Sequence, residues 1–499
     1  MKKKPFESTL SRFVTGTLAI GIGRFSTVAL GFLGLAIATR WLSLEAMGAF
    51  TLLRVISSFS ANLSDFGLET TLTKLISSNS DEQYQRKLIN TAIYFRCVTI
   101  AAASVFSLLA SELFFLLFGR FQYADLFIYM PALIATESIY RLLNPILLGK
   151  FKFAAVSLIE ITSSVANFVL TVVFVVWLQL GVFGLIYMRI AFQVLAIIIT
   201  YFAANIQHRF EFDFQKLKTI LVFGFPLYLN SILSYIFSRA DTFLIGGLLG
   251  PAEIALYEIA RKIPESLEML FEAFRQVYFP FISKLFAEDK LEKATRMIQT
   301  SLRLVTFTGM FGTIIAFIFG KEILILFFSD KYAASAPVFG ILMVLLTFNV
   351  IDTMLGYSIV AVGDSDKPPK INIFRTAVNF FGYLMLIPVL RLLGAALASL
   401  IGTITVNPLN VFFLRKRKLD IQFRTFLKPM LIFCLILVLL FALNPQCIRP
   451  KLALLALYIL ICLMFSIVTQ DDINLVVTEA KLLLARFFKK PPLQGSEIE

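Results

Sequence analysis

The sequence predicts an all-α, polytopic integral membrane protein with about fourteen transmembrane helices, built as two six-helix lobes around a central cavity plus two extra C-terminal helices. Three observations predict this. Of 499 residues, 58% are hydrophobic and 16% charged, and the mean hydropathy is +0.82, which is more apolar surface than a water-soluble chain can hide. Apolar runs long enough to cross a bilayer recur along the whole chain. The same plan is used twice, at a separation of roughly 207 to 213 residues.

In order, the runs fall near residues 13–39, 46–73, 88–118, 125–149, 154–178, 181–205, 218–246, 252–282, 297–328, 334–361, 371–391, 394–414, 426–444 and 452–469. The second and the eighth carry the most charge. Residues 1–12 form a cytoplasmic N-terminus. Met1-Lys2-Lys3-Lys4 resembles the start of a signal peptide, but the run that follows is too long and lacks a small-residue cleavage site, so it reads as a retained first helix. The first lobe is 13–205, followed by a cytoplasmic loop at 206–217. The second lobe is 218–414, followed by a basic cytoplasmic loop at 415–425 and the two extra helices in 426–470. In the cytoplasmic tail, 471–499, apolar residues are interrupted by Lys481, Arg486, Lys489 and Lys490, the pattern of an amphipathic helix on the inner leaflet.

The repeat aligns Met47-Gly48-Ala49-Phe50 and Arg54 with Ile254-Ala255-Leu256-Tyr257 and Arg261. It also aligns Glu112 to Phe115 with Glu322 to Ile325, and Val165 to Phe168 with Ala377 to Phe380. Each unit holds an even number of helices, so the second copy enters the membrane in the same direction as the first. Two parallel lobes with a cavity between them are the arrangement of an alternating-access transporter.

Lysine and arginine set the orientation. With a cytoplasmic N-terminus, roughly 28 basic residues lie on the inner side against roughly 7 outside, which places both termini in the cytoplasm. The net charge of +14 therefore belongs to topology and to anionic headgroups, and no nucleic-acid partner is expected.

Several chemistries are disfavoured. His208 is the only histidine and sits in a polar loop, and Cys97, Cys434, Cys447 and Cys462 have no metal-ligand spacing, so no metal site and no structural disulfide are expected. Asp65-Phe66-Gly67 lies within the second predicted helix and is not accompanied by a kinase glycine-rich loop or catalytic-loop motif. Gly363 to Pro369 is turn chemistry without a phosphate-binding loop. Short connecting loops argue against a membrane glycosyltransferase or polymerase.

The intramembrane charges carry the functional signal, because each one needs a partner or a wet cavity. In the second run, Arg54, Ser58, Asn62, Asp65 and Glu69 share an arc of about 80° at helical spacing. In the eighth, Glu258, Arg261, Glu265, Glu268, Glu272 and Arg275 share about 100°. These stripes either pair along their own helices or face a shared cavity. Arginine stays charged in lipid and its planar fork suits phosphate oxygens. Candidate residues for an anionic or pyrophosphate site are Arg24, Arg54, Arg239, Arg261 and Arg375. Arg141, Arg189 and Arg303 either line the cavity or snorkel to an interface. Candidate coupling carboxylates for H+ or Na+ are Asp65, Glu69, Asp241 and Asp352, with Glu137 and Glu160 also placed inside helices. No other cofactor is expected. Pro226, Pro264, Pro280, Pro388 and Pro408 mark positions where a helix either bends statically or flexes.

Trp41 to Phe50 leading into Leu63 to Glu69, Phe223-Gly224-Phe225-Pro226, and Gly250-Pro251-Ala252-Glu253 leading to Tyr257 resemble the multidrug/oligosaccharidyl-lipid/polysaccharide exporter superfamily, and within it the O-antigen and polysaccharide flippases of the Wzx type. The resemblance covers about residues 10–470. It implies an inner-membrane flippase without enzymatic activity. The implied substrate is an oligosaccharide on polyprenyl pyrophosphate, and the implied partners are membrane lipids and polysaccharide assembly proteins. The chain also resembles the lipid II flippases, in which arginines of helices 1, 2 and 8 line the cavity, and Arg24, Arg54 and Arg261 stand on the matching helices. The cation-coupled drug exporters of the same superfamily are the alternative. They carry an acidic residue in helix 1, where this chain has Arg24.

Overall fold

A computed structural model describes residues 4–79, 81–110, 123–207, 209–417, 419, 421, 424–443 and 447–465. His208, residues 111–122 and the tail from 466 onward lie outside the described residues. Every regular element among the described residues is helical, and fifteen α-helices follow one another. They are α1 (Lys4–Trp41), α2 (Leu44–Leu63), α3 (Leu68–Ser78), α4 (Glu82–Leu109), α5 (Met130–Gly149), α6 (Phe153–Thr171), α7 (Gly181–Ala204), α8 (Phe214–Leu249), α9 (Pro251–Ala287), α10 (Leu291–Phe327), α11 (Ala336–Ala361), α12 (Lys367–Leu390), α13 (Leu392–Lys416), α14 (Arg424–Leu443) and α15 (Ile448–Met464). Short 3-10 turns at Ala124–Tyr129 and Asp330–Ser335 lead into α5 and α11, and a π-helical turn at Val172–Trp177 ends α6.

Nine helices among the described residues are long and apolar enough to cross a membrane. The protein is a multi-pass membrane protein. Helix starts are fixed by polar caps that hydropathy does not register. The side chain of Ser43 accepts from the Ala46 N–H, that of Asp81 from Gln83, and that of Asp213 from Gln215 and Lys216. Each helix therefore begins a few residues before its apolar run.

The second apolar run is two helices, not one, so Asp65-Phe66-Gly67 lies in a break and not within a helix. Residues 64–67 form a turn in which Phe66 (φ 50°) and Gly67 (φ 79°) are left-handed and the Asp65 carboxylate accepts the Gly67 N–H at 3.1 Å. Glycine is required at 67 on a second count. A Cβ there would lie 2.3 Å from the carbonyl oxygen of Gly224 on α8, so the break and α8 touch backbone to backbone. Gly48 makes a similar approach, since its Cβ would fall 1.7 Å from the Pro251 carbonyl at the start of α9. Small residues that let backbones approach closely are the usual means of packing helices in lipid. α8, α12 and α13 continue through Pro226, Pro388 and Pro408.

The chain divides into two compact units, one comprising Met1–Ser266, Lys321–Val338 and Asn379–Ala398, the other Leu267–Gly320, Phe339–Val378 and Ser399–Glu499. In the first, Leu72 and Ile76 of α3, Leu88 and Ile89 of α4, and Ile146 and Leu147 of α5 form a buried apolar cluster. In the second, α14 and α15 pack on α10. Ile436, Tyr458 and Cys462 surround Met310 and Ile314, and Tyr458 stacks on Phe307 at 5.8 Å while donating to its carbonyl at 3.2 Å.

Candidate functional site

Three arginines from three helices converge on one carboxylate in the first unit. Arg54 of α2 lies 3.5 Å from Glu258 of α9, Arg239 of α8 lies 3.4 Å from it, and Arg261, one turn along α9, lies 3.7 Å from it. Arg261 is the most committed of the three, with Asp241 of α8 at 2.8 Å and Glu265 at 2.7 Å. Thr242 donates to Glu258 at 3.0 Å, and the fully buried Tyr257 bonds Asp241. Lys262 stands within electrostatic reach of Glu265, Glu258, Arg54 and Arg239. Three arginines thus face the three carboxylates of Asp241, Glu258 and Glu265, with Lys262 nearby. Within α9 the stripe pairs along its own helix, and across helices it also pairs with α2 and α8. The Arg54 side chain is 36% exposed and that of Arg239 25%, against 13% for Arg261, so Arg54 and Arg239 present the accessible edge. Glu272 and Arg275 have side chains outside the described residues.

The polar stripe of α2 does not turn as a whole toward this set. Ser58 donates to Glu137 of α5 at 2.8 Å, and Glu137 is also held by Arg141 at 2.9 Å and by Arg189 of α7 at 3.0 Å. Both arginines are therefore paired within the protein. Arg141 also donates to Asn62 at 3.0 Å. Asp65 pairs at 3.4 Å with Arg96 of α4, a guanidinium fully removed from the surface that also donates to the carbonyls of Ser138 and Ala61, each at 3.3 Å. The sequence reading passed over Arg96, although an arginine in the middle of an apolar run is itself a signal.

The remaining candidates are dispersed. Arg24 is exposed on α1, with no carboxylate within 4.0 Å among the described residues, and Glu69 is exposed at the start of α3. Glu160 is half-buried on α6, and Arg303 is half-buried on α10. In the second unit, Arg375 of α12 pairs with Asp352 of α11 at 2.8 Å, and Asn410 of α13 donates to the same carboxylate at 2.7 Å. No cluster of His, Cys, Asp and Glu that could hold a metal ion occurs among the described residues.

Residues 37–337, more than half of the chain, match the polysaccharide biosynthesis protein family. The chain belongs to that family. The Staphylococcus aureus capsular polysaccharide biosynthesis protein CapF is 24% identical over 203 residues, 41% of this chain and 50% of CapF, so the match spans about half of that relative's length. A Haloferax volcanii protein described as a probable low-salt glycan biosynthesis flippase is 20% identical over 407 residues, 80% of this chain and 82% of the relative. Among solved structures, lipid II flippase MurJ in an inward closed conformation superposes with a TM-score of 0.69 at 18% identity, covering 91% of this chain and 98% of MurJ. At 18% identity the likeness to MurJ shows a shared fold. The family model ends at residue 337 and so takes in Arg54, Arg239 and Arg261 but not the Asp352–Arg375 pair.

Proposed function

We propose that this family member is a flippase that moves a polyprenyl-pyrophosphate-linked oligosaccharide, a repeat unit of O-antigen or another surface polysaccharide, from the inner to the outer leaflet by alternating access. The observation that carries the reading is the convergence of Arg54, Arg239 and Arg261 around Glu258. A pyrophosphate offers planar guanidinium forks the same acceptor geometry as a carboxylate, and it can take over Arg54 and Arg239 while Asp241 and Glu265 keep Arg261 in place. The carboxylates hold the forks in position and keep the empty site from standing as uncompensated charge in a low-dielectric interior. The named activities of the Haloferax relative and of MurJ support the same reading.

The protein works as a transporter, without catalysis, in the plasma membrane with both termini cytoplasmic, and proton or sodium coupling drives it. Its partners are the lipid-linked substrate, membrane lipids and polysaccharide assembly proteins. In cells lacking the protein, completed repeat units should accumulate on the lipid carrier at the inner leaflet and surface polymer should disappear. Loss of the completed unit itself would instead point to an enzyme, and normal glycan with raised drug sensitivity to a drug exporter.

A further inference from the structure

We propose that a cavity at the ends of α4, α5 and α7 is a binding site for a phosphate group, of the kind an inner-leaflet phospholipid headgroup presents. The cavity has a volume of about 260 Å³, and its lining includes Glu82 and Arg86 of α4, Lys150 and Lys152 of the α5–α6 turn, and Asn205 just beyond α7. Every lining residue belongs to the first unit. On the topology proposed above, these helix ends face the cytoplasm. The site shares no residue with the arginine set around Glu258.

The cations gather because of how α7 ends. Asn205 takes the left-handed backbone (φ 48°), which stops the helix and leaves its last carbonyls open. Lys150 donates to the Ala204 carbonyl and Lys152 to the Ala203 carbonyl, each at 2.8 Å. A helix C-terminus carries roughly half a negative charge, so two ammonium groups exceed what it neutralises. Neither lysine has a carboxylate within 4.0 Å among the described residues, and the carbonyl takes one of the three donors that each ammonium carries. Arg86 adds a third cation and meets Glu211 through Nε at 3.4 Å. Glu82, exposed in the first turn of α4, is the one carboxylate of the lining, and it acts on Lys150 through space without pairing with it. Burial, and after it the charge of Lys152, lower the Lys150 pKa. An anion lying against both ammonium groups relieves that repulsion.

The frame of the cavity is held by hydrogen bonds that do not use these cations. Asn90 of α4 donates to the Gln207 carbonyl at 3.3 Å, and Gln85 donates to the carbonyls of Ile76 and Asn79 at 3.1 and 2.6 Å. A site whose frame is already formed loses little freedom on binding. Exposed rings beside the lysines favour a lipid as the source of the phosphate. Phe151, between the two lysines, is 63% exposed, and Phe202, one turn before Asn205, is 74% exposed. Bare phenylalanine rings suit acyl chains while ammonium groups suit the headgroup level, and basic pockets between helices on the cytoplasmic side hold anionic headgroups.

The test is thermal unfolding of the full-length protein in detergent micelles, titrated with short-chain phosphatidylglycerol, with phosphatidylcholine of the same chain length, or with inorganic phosphate at constant ionic strength. In wild type, phosphatidylglycerol is expected to raise the unfolding temperature saturably and phosphatidylcholine to leave it unchanged. The Lys150→Gln, Lys152→Gln double variant should need about tenfold more phosphatidylglycerol for the same rise, while Lys416→Gln, which removes an exposed cation elsewhere, titrates as wild type. Arg86→Gln leaves the α7 carbonyls capped and provides the same readout if the double variant folds poorly. A saturable rise with inorganic phosphate and none with phosphatidylglycerol, lost in the same variants, supports the site with a soluble phosphate as its ligand. No saturable rise with either probe, or an equal loss in Lys416→Gln, overturns the proposal. No transport substrate enters the measurement, so its failure leaves the flippase reading untouched.

Discussion

Arg54 and Arg261, which the internal repeat of the sequence places at equivalent positions, both reach the carboxylate of Glu258, at 3.5 and 3.7 Å. Their surroundings differ. Arg261 also holds Asp241 and Glu265 and is 13% exposed, whereas Arg54 has the single partner Glu258 and is 36% exposed. Removing Arg261 strands the buried carboxylate of Asp241, a loss of about 3–5 kcal/mol. Removing Arg54 leaves Glu258 paired with Arg239 and Arg261 and should change stability by under about 1 kcal/mol. Arg261→Ala is thus expected to lower the thermal unfolding temperature in detergent and abolish glycan export, while Arg54→Ala abolishes export at near wild-type stability. An Arg54→Ala protein with full export would remove this arginine from the site.

Arg96 makes a different prediction. Its guanidinium joins Asp65 to the carbonyls of Ala61 and Ser138 across α2, α4 and α5. Arg96→Ala leaves the largely buried Asp65 carboxylate without its counter-charge, at a cost of about 3–5 kcal/mol. Arg96→Lys should recover only part of this, because one ammonium cannot copy a fork that serves three acceptors. Thermal unfolding of the two variants checks it, and equal stability of Arg96→Lys and wild type would contradict it.

Backbone contact sets a third expectation. Gly48→Ala must push α2 away from the Pro251 carbonyl and is expected to give little folded protein. Gly181→Ala, at φ +59° with nothing within 4 Å of its Cβ, should cost only about 1–2 kcal/mol from the left-handed backbone. Size-exclusion profiles of both proteins separate the two effects.

Outside the membrane, the turn between α11 and α12 is clamped by Asp364 to Arg417 at 2.5 Å and by Asp366 to Lys367 and Lys370 at 3.0 and 2.9 Å. The hydrogen bond from Arg417 holds the Asp364 carboxyl below its ordinary value, and the bonds from Lys370 and Lys367 pull Asp366 down to about 2. Both pKa values are depressed on folding, so the stabilisation is present at neutral pH. It is lost as pH falls from about 4, where an unpaired aspartate titrates, towards the folded values. Hydrogen exchange in this turn should be unchanged between pH 8 and 5 after correction for intrinsic rates, and an increase on going from pH 8 to 6 would contradict the assignment.

Much of this was legible in the sequence. Apolar runs located the helices, because crossing a bilayer leaves a length signature, and Arg54, Arg239, Arg261 and Asp241 stood out as charges that lipid does not tolerate alone. The break at residues 64–67 was not legible, because Phe66 and Leu68 keep the run apolar and the need for Gly67 comes from Gly224, far along the chain. The pairing was also hidden. Arg141 and Arg189 read as cations that either line the cavity or snorkel to an interface, and the sequence does not show that both pair with Glu137. Helical periodicity gives the face a residue occupies, but the partner depends on which helix packs there.

The central claim is tested most directly by translocation itself. Lipid-linked saccharide recovered from cells lacking the protein would be reconstituted with purified protein into liposomes, and its accessibility to a membrane-impermeant glycosidase followed over time. The account predicts that the fraction protected inside becomes accessible with the wild-type protein and stays protected with the Arg54→Ala, Arg239→Ala double variant. Protection identical in protein-free and wild-type liposomes would contradict it.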